Sequence, residues 1–148
     1  MTKQKSMNNK GFSLVELIIV IAIMAILIGV MAPQLSKYVE RSRVSADTQV
    51  ADSVRTAIVT ALVDPTITDG SAPSTMAAAA SITAIDTDKQ FGKLVVEIMG
   101  DSPANVKAKL KSKAYMGADI NYQVTSNNQV IITIESKDTT VAPDLVIK

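Results

Sequence analysis

A single carboxylate, Glu16, stands where a short basic segment gives way to sixteen consecutive apolar residues, Leu17 to Ala32. An ionised carboxylate at the centre of a bilayer costs about 2.5–3.5 kcal/mol on insertion scales, so inside an apolar layer it needs a positive partner. A cut before Phe12 would create one, because the new α-amine has a typical pKa of about 7.7–8.0. In an apolar bundle this pair could fix the register between neighbouring chains. The alternative is a border residue that reaches the lipid headgroups at little cost.

Residue types needed for several kinds of catalysis are missing from this chain. It contains no histidine and no cysteine, which excludes histidine or cysteine zinc sites, cysteine nucleophiles and histidine acid–base chemistry. No G-x-S-x-G nucleophile motif is present. Asp138 and Asp144 do not have the spacing of an EF-hand calcium loop, so we interpret them as solvated loop carboxylates. We predict no catalytic residues, no metal, no cofactor and no small-molecule substrate.

The charge balance favours neither a nucleic-acid binder nor a strongly acidic protein. The full chain has 15 basic and 14 acidic side chains, for a net charge of +1. Cleavage before Phe12 would remove Lys3, Lys5 and Lys10 and leave the net charge slightly negative. These lysines have the character of a topology signal, because basic residues beside a transmembrane end stay on the cytoplasmic side. The soluble part would then lie outside the cytoplasm, and nucleic acid is not an expected partner.

The apolar segment has the length of a membrane span. From Phe12 to Ala32 an α-helix would be about 31 Å long, which matches a bilayer core of roughly 30 Å. A secretory signal would have a shorter apolar region and a small-residue cleavage site after it, whereas Pro33 follows here. We therefore predict four parts: a leader over 1–11, a transmembrane helix over 12–33, an amphipathic helix over 34–63 and a globular head over 64–148.

The apolar pattern changes to a single stripe after the span. Its members recur at helical spacing, which predicts an amphipathic helix: Val44, Ala51, Val54, Ile58 and Ala61. Charged residues, among them Asp47, stand between them and are expected on the polar side. Asp64-Pro65 ends the pattern because the residue before proline avoids the α region. One helix from about Phe12 to Val63 would be roughly 78 Å long.

Two weak points of this helix fall on one hydrogen bond. Pro33 lacks the N–H that would bond to the carbonyl of Gly29, and its ring crowds that carbonyl. Glycine is the weakest helix former after proline. The sequence therefore suggests a hinge between Gly29 and Pro33, with a tolerated membrane-helix kink as the alternative.

The remaining residues predict a small α+β head with one clear helix and one clear hairpin. Residues 91–99 have helical spacing and are followed by Gly100, which predicts a helix end. Residues 120–124 and 130–134 alternate between apolar and polar side chains around a polar turn, which predicts a β-hairpin. Residues 141–147 contain Pro143 and would form a last strand at a sheet edge.

Two short segments are less well defined by their sequence. The alanine run 77–80 suggests a short helical turn within a loop. Residues 106–113 carry a lysine at every second position, which favours an edge strand; a helix begun by Ser102-Pro103 is the alternative. A nucleic-acid site is disfavoured there, because no aromatic or arginine residues interleave with the lysines. The overall prediction is an α+β fold with a long N-terminal helix packed on a small antiparallel sheet.

The segment Lys10-Gly11-Phe12-Ser13-Leu14-Val15-Glu16 and the apolar run after it resemble the prepilin signature of type IV pilins and pseudopilins. The resemblance is specific over about residues 10–45 and only architectural beyond them. It implies cleavage between Gly11 and Phe12 by a membrane prepilin peptidase, followed by N-methylation of Phe12. It also implies that Glu16 pairs with the N-terminal amine of a neighbouring subunit during assembly.

Three functions remain open from the sequence. The first is a type IV pilus subunit that assembles with copies of itself into a helical filament. The second is a pseudopilin of a secretion or DNA-uptake apparatus, and the third is a membrane-anchored domain with no assembly. The first implies a bacterial protein of the cytoplasmic (inner) membrane that joins the pilus assembly machinery and ends in an extracellular pilus. The missing C-terminal disulfide further suggests a Gram-positive source.

Overall fold

The structure, a computed structural model, describes residues 12–148. Its helices and strands follow in this order: α1 (Leu14–Leu62), β1 (Ala80–Ser81), a 3-10 turn (Ile82–Ala84), α2 (Gln90–Met99), α3 (Pro103–Ala108), β2 (Ile120–Val124), β3 (Val130–Ile134) and β4 (Leu145–Ile147). The chain divides into two compact units, one ending at Tyr38 and the other beginning at Val39. The predicted leader, residues 1–11, lies outside the described residues.

The second unit contains a four-stranded antiparallel sheet in the order β1-β2-β3-β4. The central strands pair Tyr122 with Ile132, and every second residue of each is buried because successive side chains point to opposite faces. Asn128 completes the turn with a φ of 55°, which asparagine tolerates well. The predicted hairpin is confirmed, and the last strand is confirmed over Leu145–Ile147 at the sheet edge.

The second half of α1 buries one stripe against this sheet. Its fully buried apolar residues join the inward side chains of β2 and β3 in one cluster: Ala51, Val54, Ala57, Ile58 and Ala61. Arg55 adds a polar link, since its Nε donates to the carbonyl oxygen of Val130 at 3.1 Å. The predicted amphipathic pattern and the α+β fold class are both confirmed.

The predicted second helix is also confirmed, and its ends explain its position. Gly100 terminates α2 with a φ of 70°, a left-handed conformation that glycine adopts without strain. At the other end, Gln90 donates its N–H to Asp69 Oδ2 and Phe91 donates its N–H to Ser71 Oγ, each at 3.0 Å. The first turn is thus capped by a loop about twenty residues earlier in the chain.

Two predictions about short segments are wrong. Residues 106–113 do not form an edge strand, because Ser102 caps a helix instead: its Oγ accepts the Asn105 N–H at 3.3 Å, and Pro103 occupies the first helical turn. This Ser-Pro start outweighs the alternating lysines. The alanine run 77–80 forms no helical turn, since Ala80 pairs with Tyr122 in β1. Four residues are too few to nucleate a stable helix when a strand offers hydrogen bonds.

A third prediction, that Asp47 lies on the polar side of α1, is also wrong. Asp47 does not face solvent with the other charged residues of α1 but is 1% exposed, four residues before Ala51 on the buried stripe. Its Oδ1 accepts the N–H of Lys111, and its Oδ2 accepts both the N–H and the hydroxyl of Ser112. The reason is that these donors compensate for the cost of burying the carboxylate.

Candidate assembly site

The chain enters α1 through a capping box that the sequence analysis did not identify. Ser13 precedes the first helical residue, and its N–H donates to Glu16 Oε2 at 2.9 Å. In return, Ser13 Oγ accepts the N–H of Val15 at 3.4 Å. The spacing Ser-x-x-Glu just before an apolar run is the sequence signal that would have found it. Glu16 therefore stabilises the start of its own helix.

Phe12 and Glu16 are both exposed in the single chain, as the predicted contact between chains requires. The Phe12 side chain is 95% exposed. Only one oxygen of the Glu16 carboxylate accepts a hydrogen bond within the described residues, which leaves Oε1 available. Gly11, the other predicted processing residue, lies outside the described residues.

The first part of α1 leaves its apolar surface uncovered. Its large apolar side chains between Leu14 and Met31 are 50–73% exposed. An 18-residue window of this helix has a mean hydropathy of 3.0 with no residue buried, so α1 is long and apolar enough to cross a membrane. A contiguous apolar surface of this size on a soluble monomer would be unusual and marks an interaction surface. The surface is suited to lipid or to the same helix of other subunits.

The two predicted hinge residues lie within this exposed part of α1. The helix continues through Pro33, so the missing hydrogen bond does not end it. A Cβ added to Gly29 would meet no other atom within 4 Å, so nothing within the chain requires a glycine there. Whether the Gly29–Pro33 segment opens as a hinge remains a prediction.

The described residues offer no evident metal site. Within residues 12–148, no group of three or more acidic side chains is arranged to hold an ion. Asp138 and Asp144 serve local structure instead: Asp138 Oδ1 accepts the N–H of Thr140 at 3.1 Å, and Asp144 Oδ1 accepts the N–H of Ser136 at 2.7 Å. The hydrogen bond from the Thr140 hydroxyl lowers the pKa of Asp138. These contacts agree with the interpretation of both residues as loop carboxylates.

Comparison with known proteins finds a family motif over the segment that carries these features and relatives that match about a third of the chain. Residues 6–32 match the prokaryotic N-terminal methylation motif. The chain is 47% identical over 55 residues to the type IV major fimbrial protein FimA of Dichelobacter nodosus, across 37% of this chain and 35% of that protein. It is 45% identical over 51 residues to a fimbrial protein of Moraxella nonliquefaciens, across 34% of this chain and 33% of that protein.

These similarities confirm the resemblance to type IV pilins and limit its extent. The chain spans about a third of the length of the curated relatives that it matches. No solved structure matches the chain. The Gram-positive source suggested by the missing cysteines has no support in these relatives.

Proposed function

We propose that this protein is the structural subunit of a type IV pilus and assembles with copies of itself into a helical filament. One observation carries the proposal: the uncovered apolar first part of α1, residues 14–32, falls within a methylation motif and contains a single carboxylate, Glu16, near its start. In a filament, the apolar helices would cover one another in the centre. The relatives named as fimbrial proteins support this function, and no observation favours the pseudopilin alternative.

Processing precedes assembly in this proposal. A prepilin peptidase of the cytoplasmic membrane cuts between Gly11 and Phe12, and the new amino group of Phe12 is methylated. The apolar part of α1 holds the subunit in the membrane with its head outside until the assembly machinery adds it to the extracellular pilus. The role is structural, with no enzymatic step in the pilus subunit itself.

Assembly depends on the charge of Glu16. Its Oε2 accepts the Ser13 N–H within the chain, and its free Oε1 accepts a hydrogen bond from the α-amine of Phe12 of a neighbouring subunit. In an apolar surrounding, an unpaired charge would be costly, so only the register that pairs the two groups is favourable. The capping box and the contact between subunits therefore share one carboxylate without competing for the same oxygen.

Substitutions at Glu16 test this proposal. We expect Glu16→Ala and Glu16→Gln subunits to enter the membrane and begin at Phe12, as N-terminal sequencing would show, but to form no filaments by electron microscopy. Glutamine can still cap the helix, so its failure would isolate the missing charge. Ser13→Ala is the matched control: it removes the capping hydroxyl, keeps the charge and should still polymerise.

Normal filament yield from Glu16→Gln would contradict the charge pair. A mature chain that begins at Met1, or beyond Ala32, would contradict the whole proposal, because the Phe12 amine or the apolar helix would then be missing.

We also propose that the Gly29–Pro33 segment loosens within the filament, because two helix-weakening residues share one hydrogen bond there. Hydrogen exchange on assembled pili should show less protection for residues 29–32 than for residues 15–24. Gly29→Ala should restore part of the protection, since the new methyl group meets no atom within the chain. Equal protection along the whole segment would disprove the hinge.

A further inference from the structure

Three basic residues of α1 follow the apolar run that ends at Ala32. We call Lys37, Arg41 and Arg43 the cationic belt; all three are exposed. Arg43 Nη1 lies 3.5 Å from Glu40 Oε2, whereas Lys37 and Arg41 form no ion pair within residues 12–148. The belt therefore presents positive charge that the chain does not neutralise, directly after the proposed membrane span.

The cationic belt opposes the topology that the proposed function requires. Basic residues beside a span favour the cytoplasmic side, and Lys3, Lys5 and Lys10 of the leader provide that signal. The belt places an equal number of basic residues at the other end of the span and so weakens it. Cleavage before Phe12 removes the leader lysines and leaves the belt as the basic flank of the span. Charges that work against the topology signal indicate a use of their own on the outer side.

The belt begins at the depth of lipid headgroups. Five residues of α-helix rise by about 7.5 Å, so Lys37 lies that far beyond Ala32, and the headgroup layer on each side of a bilayer is about 5–8 Å thick. Side chains of a helix lean toward its N-terminus, so Arg41 and Arg43 reach back toward the same layer. Tyr38 is 72% exposed, and an amphipathic ring of this kind is typical of the interface.

The charge of the remaining residues limits where an anionic surface can bind. Residues 44–148 contain nine basic and twelve acidic side chains, whereas residues 33–43 contain three basic and one acidic. An anionic surface therefore attracts the belt and repels the rest of the head. Screening limits both effects to about 8 Å at physiological ionic strength, so the attraction acts on lipid beside the span.

We propose that the cationic belt binds the phosphate groups of anionic phospholipids at the outer surface of the cytoplasmic membrane before the subunit is assembled. Arg41 is the main ligand, because its guanidinium group has no ion-pair partner within residues 12–148 and can bind a phosphate through two parallel N–H groups. The inference rests on the proposed function, which places the head outside, and adds a partner for the subunit before assembly.

Mass spectrometry of the intact full chain with its bound lipid tests the proposal. The chain, in a nonionic detergent, is mixed with equal amounts of phosphatidylglycerol and phosphatidylcholine that have the same acyl chains. Every sample carries Lys3→Gln, Lys5→Gln and Lys10→Gln, because the leader lysines would attract the same lipid at the other end of the span. We expect bound phosphatidylglycerol to exceed phosphatidylcholine by at least about tenfold, since each basic residue near an anionic surface adds about fivefold to the affinity.

Two triple variants form a matched pair, since each removes three exposed positive charges. Lys37→Gln, Arg41→Gln and Arg43→Gln together should bring the ratio of the two lipids close to one. Changing Lys89, Lys93 and Lys148 to glutamine should leave the ratio unchanged. Soluble glycerol phosphate at the lipid concentration should not displace phosphatidylglycerol, because the belt binds a surface of many phosphates.

The proposal is overturned if the belt variant keeps the preference for phosphatidylglycerol, if the control variant loses it equally, or if glycerol phosphate displaces the lipid. A belt variant that keeps the preference but forms no filaments would assign these charges to contacts with a second subunit instead. Because lipid binding is measured on single subunits, its failure leaves the filament proposal standing. Likewise, failure of filament assembly leaves the measured lipid preference unaffected.

Discussion

At the scale of single residues, two carboxylates of α1 hold a segment of the head that has little regular structure of its own. We call residues 109–117 the strap. Asp47 accepts the N–H groups of Lys111 and Ser112, each at 2.9 Å, and Glu40 accepts the N–H of Lys113. Glu40 and Asp47 are seven residues apart and so lie on the same side of the helix. The N–H groups of residues 111–113 therefore bond to two carboxylates that the helix α1 holds in place.

Asp47→Ala should destabilise the head by about 3 kcal/mol, because it leaves two backbone N–H groups and a hydroxyl without their charged acceptor. Asp47→Asn should cost less, since its carbonyl oxygen can still accept. Urea unfolding followed by circular dichroism measures both. Asp52→Ala, an exposed carboxylate on the same helix, is the control and should change stability by less than about 0.5 kcal/mol. Equal stability of Asp47→Ala and the original chain would mean that the strap does not depend on Asp47.

At the scale of elements, α2 is positioned by loops that precede it in the chain. Asp69 and Ser71 cap its first turn, and in return the side-chain oxygen of Gln90 accepts the N–H of Thr68 at 2.7 Å. Gly92 allows the helix to approach the backbone of Asp86: an added Cβ would lie 2.1 Å from the Asp86 carbonyl oxygen. Glycine is therefore required at position 92 by close packing.

Gly92→Ala should displace α2 or the Asp86 loop and destabilise the head by about 1–3 kcal/mol, the usual cost of overpacking. Gly29→Ala is the matched control, because it makes the same change within a helix where the new methyl group meets nothing. It should be neutral or stabilising by up to about 1 kcal/mol. Thermal unfolding of the two variants compares them directly, and an unchanged melting temperature for Gly92→Ala would refute the close approach.

The same elements show why some sequence predictions were right and others wrong. The hairpin and α2 were predictable because each has a periodic pattern and its own turn or end signal within a few residues. The alternating lysines of 106–113 also formed a pattern, but Ser102 and Pro103 began a helix there. In addition, Lys107 forms an ion pair with Asp119 and Lys109 forms one with Asp101, and both aspartates lie outside the segment 106–113. A short pattern is not decisive when a cap and ion pairs oppose it.

At the scale of the whole molecule, the head has no disulfide and depends on packing and on polar contacts that vary with pH. Hydrogen bonds from nearby side chains lower the pKa values of four aspartates, Asp64, Asp69, Asp101 and Asp138. At the alkaline end, burial raises the pKa values of Tyr115 and Tyr122, and for Tyr115 the nearby Asp144 and Asp47 add to the rise.

The head should therefore be most stable between about pH 4 and pH 10. Carboxyl groups with lowered pKa values add stability that is lost as the pH falls below their unfolded value and through the folded one. Tyrosines with raised pKa values add stability that is lost as the pH rises above about 10. Melting temperatures from pH 2.5 to 11.5 measure the profile, and Tyr115→Phe should reduce the alkaline loss. A melting temperature that is flat across both limits would contradict this assignment.

The sequence by itself determined the features that depend on neighbouring residues: the apolar segment, the motif at Gly11–Phe12, the carboxylate at Glu16, the buried stripe of α1 and the hairpin. Tertiary structure decided which polar groups are satisfied. Asp47 is buried because donors more than sixty residues away reach it, and Gly92 is required because a loop crosses close to it. Periodicity reports which side of an element is apolar, but it contains no information on which distant donor, acceptor or backbone atom will meet that side.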